Sequence, residues 1–279
     1  MACPRRVAPS TWAAPLLSLL LLVPGGVQGQ ERPFPYRLGG RDVALGSLGA
    51  VGLGLGAALQ GRVEALTPGE IAGLDRASVN GFDRGATRNY SEGWQDVSDW
   101  TRGGILAAAG LVTFTPLVLD GRWREAGTLA VIVAEAGALT VGVTTVSKAL
   151  TERKRPYLYN DGLTPEARAA VFPDSGEGSF SFFSGHAAVS FAAATLLSTT
   201  YSDLHGSTRI SKLLWVSSVG AATLVSVGRV EGGMHFPTDV LTGAAVGAAI
   251  GHLVPRLHRR DAPVVMVVGP GYVGLRWSF

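Results

Sequence analysis

The sequence predicts an all-α fold: a six-helix, membrane-associated bundle followed by a short C-terminal β-hairpin-like tail. Three observations lead there. Only 16% of the 279 residues are charged, against roughly a quarter in an ordinary soluble domain, and the mean hydropathy is positive. Six segments, 43–59, 105–119, 129–146, 187–199, 215–227 and 240–254, are nearly continuously apolar, more so than an amphipathic surface helix requires. In the last stretch, 263–279, bulky residues alternate around Gly269-Pro270-Gly271, a strand and turn pattern.

Residues 1–30 read as a signal peptide. Arg5 and Arg6 precede an apolar run at 12–23, and Pro24, two glycines and a small-residue cleavage site around Val27 and Gly29 follow. An uncleaved anchor is the competing reading, although the run is shorter than the roughly 20 residues of a bilayer span. The chain then divides into the signal, one helical domain at 31–262 and the tail at 263–279. Arg5 and Arg6 supply most of the formal net charge of +3, so the basic excess belongs to targeting. Without a Lys/Arg tract or zinc-finger spacing, nucleic acid is excluded as a partner. The single cysteine, Cys3, lies in the same segment, which leaves the mature chain neither disulfide nor thiol chemistry.

Alanine, glycine, serine and threonine recur through the six segments and permit close helix packing in lipid. Several segments are short for full spans, so a soluble exported bundle is the alternative. The polar stretch 61–101 carries Phe82, Tyr90, Trp94 and Trp100. It reads as an interfacial amphipathic helix, a lid over a pocket, or a helix capping the bundle. The connection 157–183 is rich in Pro, Gly, Asp and Glu and reads as a loop. If all six segments cross, Lys148, His186, Arg229 and Asp239 meet on one face. Arg122, Arg124, Arg209, Lys212, Arg256, Arg259 and Arg260 gather on the other, which places the first face outside. An exported N-terminus demands the reverse orientation, a conflict removed if the first segment does not cross.

Three constellations carry chemistry. In Lys148-Ala-Leu-Thr-Glu-Arg-Lys-Arg155-Pro156, two cations end a helix and Pro156 forces the chain into a loop. Arg155 can grip phosphate oxygens with a planar fork and Lys148 as a point charge, though such a run alone also suits lipid headgroups. In Ser184-Gly185-His186, an N-cap serine, a close-approach glycine and a first-turn histidine form an anion site. There His186 can protonate a leaving oxygen; taken alone, the same residues describe an ordinary capped helix. In the third, Arg229 precedes His235 and Asp239, which lie four apart at a helix start. The carboxylate can fix the imidazole tautomer and leave a neutral nitrogen to face phosphorus, or the two can be a structural capping pair.

Together these residues resemble the type 2 phosphatidic acid phosphatase family, which shares its catalytic core with bacterial acid phosphatases and vanadium haloperoxidases. The family pattern is Lys, six residues, Arg-Pro; then Pro-Ser-Gly-His; then Ser-Arg, five residues, His, three residues, Asp. Lys148, Arg155, Pro156, Ser184, Gly185, His186, Arg229, His235 and Asp239 match it, and Phe183 and Gly228 stand where proline and serine are usual. The likeness spans about 129–254. It implies His235 as nucleophile, Asp239 as its orienting partner and His186 as general acid and then base. It further implies Lys148, Arg155, Ser184, Gly185 and Arg229 as phosphate ligands, with no metal or other cofactor. The implied reaction is hydrolysis of a phosphate monoester or pyrophosphate through a phosphohistidine. The substrate is a phospholipid or isoprenyl pyrophosphate met at the membrane, with the site facing the periplasm of a bacterial inner membrane. A soluble periplasmic acid phosphatase acting on soluble phosphate esters, a vanadium-dependent haloperoxidase and a non-catalytic anion-binding membrane protein are the alternatives.

Overall fold

The computed structural model describes residues 33–173, 175–261, 264–269 and 272–277, so the expected signal at 1–30 lies outside them. Eight α-helices run in order: α1 (Gly40–Gln60), α2 (Pro68–Ala72), α3 (Glu92–Leu119), α4 (Trp123–Thr151), α5 (Pro165–Ala169), α6 (Gly185–His205), α7 (Arg209–Glu231) and α8 (Pro237–Leu257). Two strands follow, β1 (Val264–Gly269) and β2 (Tyr272–Trp277), paired antiparallel from Val264↔Trp277 to Gly269↔Tyr272.

Six of these helices cover the six apolar segments. The helix count exceeds the sequence expectation because the two polar connections each contain a five-residue helix, α2 and α5. Both begin Thr-Pro: the hydroxyl of Thr67 or Thr164 accepts a backbone N–H of the first turn, and the proline fixes the first helical φ. The stretch 61–101 is also less uniform than its composition suggests. Ser91 caps α3 at Glu92, well ahead of the apolar segment, so Trp94, Ser98, Asp99 and Trp100 are helical. That first part of α3 turns Ser98 into the bundle, where its hydroxyl bonds the Val225 carbonyl, and leaves Trp100 77% exposed.

α6 lies at the centre, touching α3, α4, α7 and α8. Apart from Leu196 and Leu197, its buried face is built from alanine, serine and threonine. The hydroxyls of Thr195, Thr200 and Ser202 bond back to carbonyls one turn earlier, which satisfies them without outside partners. α8 approaches through Gly243, Gly247 and Gly251. A Cβ at these positions would lie 2.5, 2.0 and 2.1 Å from the carbonyl oxygens of Ser184, Ala188 and Ala192 on α6 and the residue before it. α1 uses Gly49, Gly52 and Gly56 in the same way against Ala138, Gly142 and Thr145 of α4. Small-residue stripes thus set both helix pairs at backbone contact, the packing mode favoured in lipid.

The outside of the bundle is apolar. Val43, Leu48, Val51 and Leu55 on α1, Leu111 and Leu119 on α3, Leu150 on α4, Leu213 and Val216 on α7 and Leu241 on α8 are all exposed. Among the described residues, five helices are long and apolar enough to cross a bilayer: α1, α3, α4 with the turn after it, α7 and α8. Continuous apolar surface on this scale has no place in water, and the protein is membrane-associated. The alternation of helix directions brings the C-terminal ends of α4 and α7 and the N-terminal ends of α6 and α8 together at one end of the bundle.

Candidate active site

α4 ends at Thr151, and Glu152 at φ +43° reverses the chain. Arg153 and Arg155 are thereby turned back across the bundle end. The Arg155 amide bonds the Gly178 carbonyl at 2.8 Å, and that of Tyr157 bonds Gly233 at 3.0 Å. On the other side, the amides of Met234 and His235 both bond the Arg229 carbonyl, and that of Ser184 bonds the Asp239 carbonyl. These bonds join all three motifs. Gly233, at φ +74°, is required here: a Cβ would lie 2.3 Å from the Asn89 carbonyl oxygen.

His235 is 1% exposed, and its Nδ1 lies 2.8 Å from the Ser181 carbonyl oxygen. A carbonyl only accepts, so Nδ1 carries the proton and Nε2 holds a lone pair. Burial first, and then the charges of Arg155, Lys148 and Arg229 and the His186 ring, hold the imidazole well below its usual pKa. The ring is neutral.

The sequence expects Asp239 to hold His235 directly, and the structure corrects this. Asp239 Oδ2 is 3.7 Å from Nδ1, beyond a hydrogen bond. Its oxygens are instead taken by the Ser181 hydroxyl at 2.5 Å, the Phe236 amide at 2.8 Å and Arg153 Nη1 at 2.5 Å. Asp239 therefore acts through Ser181, the residue whose carbonyl fixes the ring. Arg153 continues the chain to Asp83, fully buried, at 2.8 Å. Burial, the largest influence, raises the Asp83 pKa, but hydrogen bonds from Arg153, Asn80 and Thr238 outweigh it and hold the carboxyl below its usual range.

Around this core stand the remaining expected residues. Lys148 is half-buried near the end of α4, with no carboxylate paired to it among the described residues. The Arg155 guanidinium is 4% exposed, gripped by the Glu177 carbonyl and carboxylate at 2.7 Å each and by the Met234 carbonyl at 3.3 Å. Arg229 Nε is buried with no hydrogen-bond partner among the described residues, and its Nη1 is 3.8 Å from Asp99. Ser184, fully buried, caps α6 by accepting the Ala187 amide, which leaves its hydroxyl proton free to be donated. Gly185 lets α6 approach Thr144, whose methyl would sit 3.2 Å from a Cβ there. His186 Nε2 is 2.7 Å from Asp99 Oδ1 on α3.

Arg153, Asp83, Ser181, Asp99 and Glu177 are absent from the sequence reading. Arg153 sat inside the basic run, but nothing in its spacing separated it from Lys154. Ser181 contributes a main-chain carbonyl, which no residue pattern reveals. The Gly228 departure also has a structural account: a Cβ there would lie 2.9 Å from both the Trp94 carbonyl oxygen and Ser98 Cβ. α3 occupies the space a serine would need.

Similarity to known proteins covers the segment that carries the motifs. A family profile described as the PAP2 superfamily matches residues 128–262. The lipid A 1-phosphatase of Porphyromonas gingivalis is 37% identical over 83 residues, which is 29% of this chain and only 17% of that protein's length. A crystal structure of a transmembrane PAP2 type phosphatidylglycerolphosphate phosphatase from Bacillus subtilis is 20% identical. It covers 76% of this chain and 93% of that one, with a TM-score of 0.46. Every motif residue from Lys148 to Asp239 lies inside the segment that the PAP2 superfamily profile matches, so residues 128–262 of this chain are similar to that family.

Proposed function

We propose that the protein hydrolyses a lipid-linked phosphate monoester or pyrophosphate through a phosphohistidine on His235. The observation that carries this reading is the tautomer of His235: with Nδ1–H given to the Ser181 carbonyl, the lone pair on Nε2 is the nucleophile. Nε2 attacks phosphorus and the bond to the leaving oxygen breaks. That oxygen takes a proton from His186. Water then gives a proton back to His186, its oxygen attacks phosphorus, and the P–N bond breaks to release phosphate. Lys148, Arg155 and Arg229 neutralise the equatorial oxygens, and the Ser184 hydroxyl and Gly185 amide donate to them. That charge stabilisation is the main catalytic task in phosphoryl transfer. Three fixed cations supply it from the chain itself. Asp99 Oδ1 lies 2.7 Å from His186 Nε2; burial first, and then the charges of Arg229, Arg102, Lys148 and Arg155, lower the ring's pKa to about 2, so the proton it donates depends on the negative charge the substrate phosphate brings to the site.

The substrate class follows from the setting. The site opens at the end of an apolar-surfaced bundle, with exposed Trp94 and Trp100 on the adjoining part of α3, the amphipathic aromatics that favour a membrane interface. A phospholipid or isoprenyl pyrophosphate fits that position, with the headgroup at the site and the chains against the helices. Arg122, Arg124, Arg209, Lys212, Arg256, Arg259 and Arg260 lie at or just beyond helix ends opposite the site. By the positive-inside rule they support a site facing the periplasm.

The test is steady-state phosphate release by purified wild type and His235→Ala, with phosphatidate and an aryl phosphate. His235→Ala is expected to abolish release from both. Arg155→Ala and Arg229→Ala are each expected to lose several kcal/mol in order of magnitude from kcat/KM. Undiminished turnover by folded His235→Ala would remove it from the nucleophile's role.

A further inference from the structure

Far from the catalytic end, a second polar cluster is buried where α1, α4 and the end of α8 meet. It consists of Asp42 in the first turn of α1, Glu135 within α4 and His258 at the C-cap of α8. His258 is fully buried and Glu135 is 5% exposed. His258 Nδ1 lies 2.7 Å from the Val254 carbonyl oxygen, which must accept, so Nδ1 carries a proton. The other ring nitrogen, Nε2, faces two carboxylate oxygens: Asp42 Oδ1 at 2.6 Å and Glu135 Oε2 at 3.1 Å.

Counting protons exposes the problem. With Nε2 unprotonated and both carboxyls ionised, three lone-pair atoms face one another in a buried space, which is strongly unfavourable, and a proton on one carboxyl satisfies only one of the two facing atoms. If Nε2 is protonated, its one hydrogen points at Asp42, and Glu135 Oε2 still has no donor. Indeed, among the described residues that atom is buried with no hydrogen-bond partner. The neighbouring cation does not relieve it, because the Arg41 guanidinium donates to the Leu257 carbonyl. A single cation between the three atoms would satisfy all of them at once.

We propose that Asp42, Glu135 and His258 bind one divalent cation of the zinc type. The donor set, one imidazole and two carboxylates, suits a borderline metal. The surroundings already resemble a second coordination shell: Nδ1–H is anchored on a carbonyl and Asp42 Oδ2 accepts the Gly39 amide. Ligand atoms at about 2.0–2.2 Å from a tetrahedral ion stand about 3.3–3.6 Å apart, so Asp42 Oδ1, 2.6 Å from Nε2, draws back by about 0.7–1 Å on binding. The cluster lies about 20 Å along α4 from Lys148 and about 30 Å along α8 from Asp239, at 1.5 Å per residue. The ion takes no part in phosphoryl transfer. It clamps α1 and the end of α8 to α4.

The full chain, purified in detergent, is incubated with Zn²⁺ or Co²⁺, desalted and analysed by plasma mass spectrometry and visible absorption. About one equivalent per chain and a Co²⁺ d–d band are expected. Both should be lost in Glu135→Gln and His258→Gln, while phosphate release per folded molecule stays at the wild-type level. Wild type that retains no metal and shows no band overturns the proposal, leaving a proton-linked ion network. Equal metal content in wild type and both variants also overturns it. Should either variant fail to fold, wild-type stoichiometry and the Co²⁺ spectrum decide the matter.

Discussion

Removing the Arg153 side chain should damage catalysis without touching any motif residue. Arg153 joins two fully buried carboxylates, Asp239 at 2.5 Å and Asp83 at 2.8 Å, and lies 4.1 Å above the Phe236 ring. Breaking a buried ion pair from one side costs about 3–5 kcal/mol, and a charged hydrogen bond contributes about 1.5–3 kcal/mol. Arg153 is itself 26% exposed, which calls for a discount. Each carboxylate also keeps other donors, Ser181 and Phe236 for Asp239 and Asn80 and Thr238 for Asp83. We therefore expect about 3 kcal/mol of lost interaction in Arg153→Ala. Asp239 would be freed to pull on Ser181, whose carbonyl aims the His235 ring. If most of that loss reaches the transition state, kcat falls by roughly 100-fold, since each 1.4 kcal/mol is tenfold. Because Arg153 does not bind phosphate in this account, KM should change by less than about threefold. Arg153→Lys should recover only part of the loss, because one ammonium cannot fork between both carboxylates. The assay is phosphate release from an aryl phosphate by protein shown to be folded by size exclusion. A folded Arg153→Ala enzyme with wild-type kcat would refute the chain from Asp83 to His235.

Two further predictions concern packing and protonation. Gly247→Val should destabilise the bundle by about 3 kcal/mol or more, because the new Cβ meets the Ala188 carbonyl oxygen at 2.0 Å and backbone cannot yield as a side chain does. Gly110→Ala, with nothing within 4 Å, should be neutral or slightly stabilising in the same detergent melting experiment. The buried His235 should remain neutral as Nδ1–H across pH 5 to 8 in ¹⁵N-histidine NMR spectra, since its pKa lies well below the usual value. The unfolded chain then binds a proton that the folded chain refuses, so His235 makes stability fall as pH drops below about 6.5. A His235 resonance titrating near 6.5 would contradict the buried, neutral ring.

What was legible in the sequence was whatever repeats locally or by fixed spacing. The apolar segments marked the six long helices because burial in lipid demands continuous apolar surface. The three motifs marked eight residues because each keeps its own spacing around a helix end. Contacts between distant segments left no such mark. Asp83 reaches Arg153 across 70 positions, and Asp42 reaches His258 across 216. In 61–101 the sequence leaves an interfacial helix, a lid and a capping helix open; α3 begins there at Glu92, with Gln95 and Ser98 turned to the end of α7 and to α7 itself and Trp94, Asp99 and Trp100 exposed. A spacing of four residues brings His235 Nδ1 and Asp239 Oδ2 to 3.7 Å without a hydrogen bond, and Ser181 bonds to both, its carbonyl to the ring and its hydroxyl to the carboxylate.

The central claim is that His235 Nε2 bonds to phosphorus during turnover. Rapid alkaline quenching of enzyme mixed with excess substrate, followed by digestion and mass spectrometry under conditions that preserve P–N bonds, tests it directly. A phosphorylated peptide containing His235, substituted at Nε2, is expected from wild type and not from His235→Ala. Phosphate appearing on another residue, or full turnover with an enzyme that never becomes labelled, would contradict it.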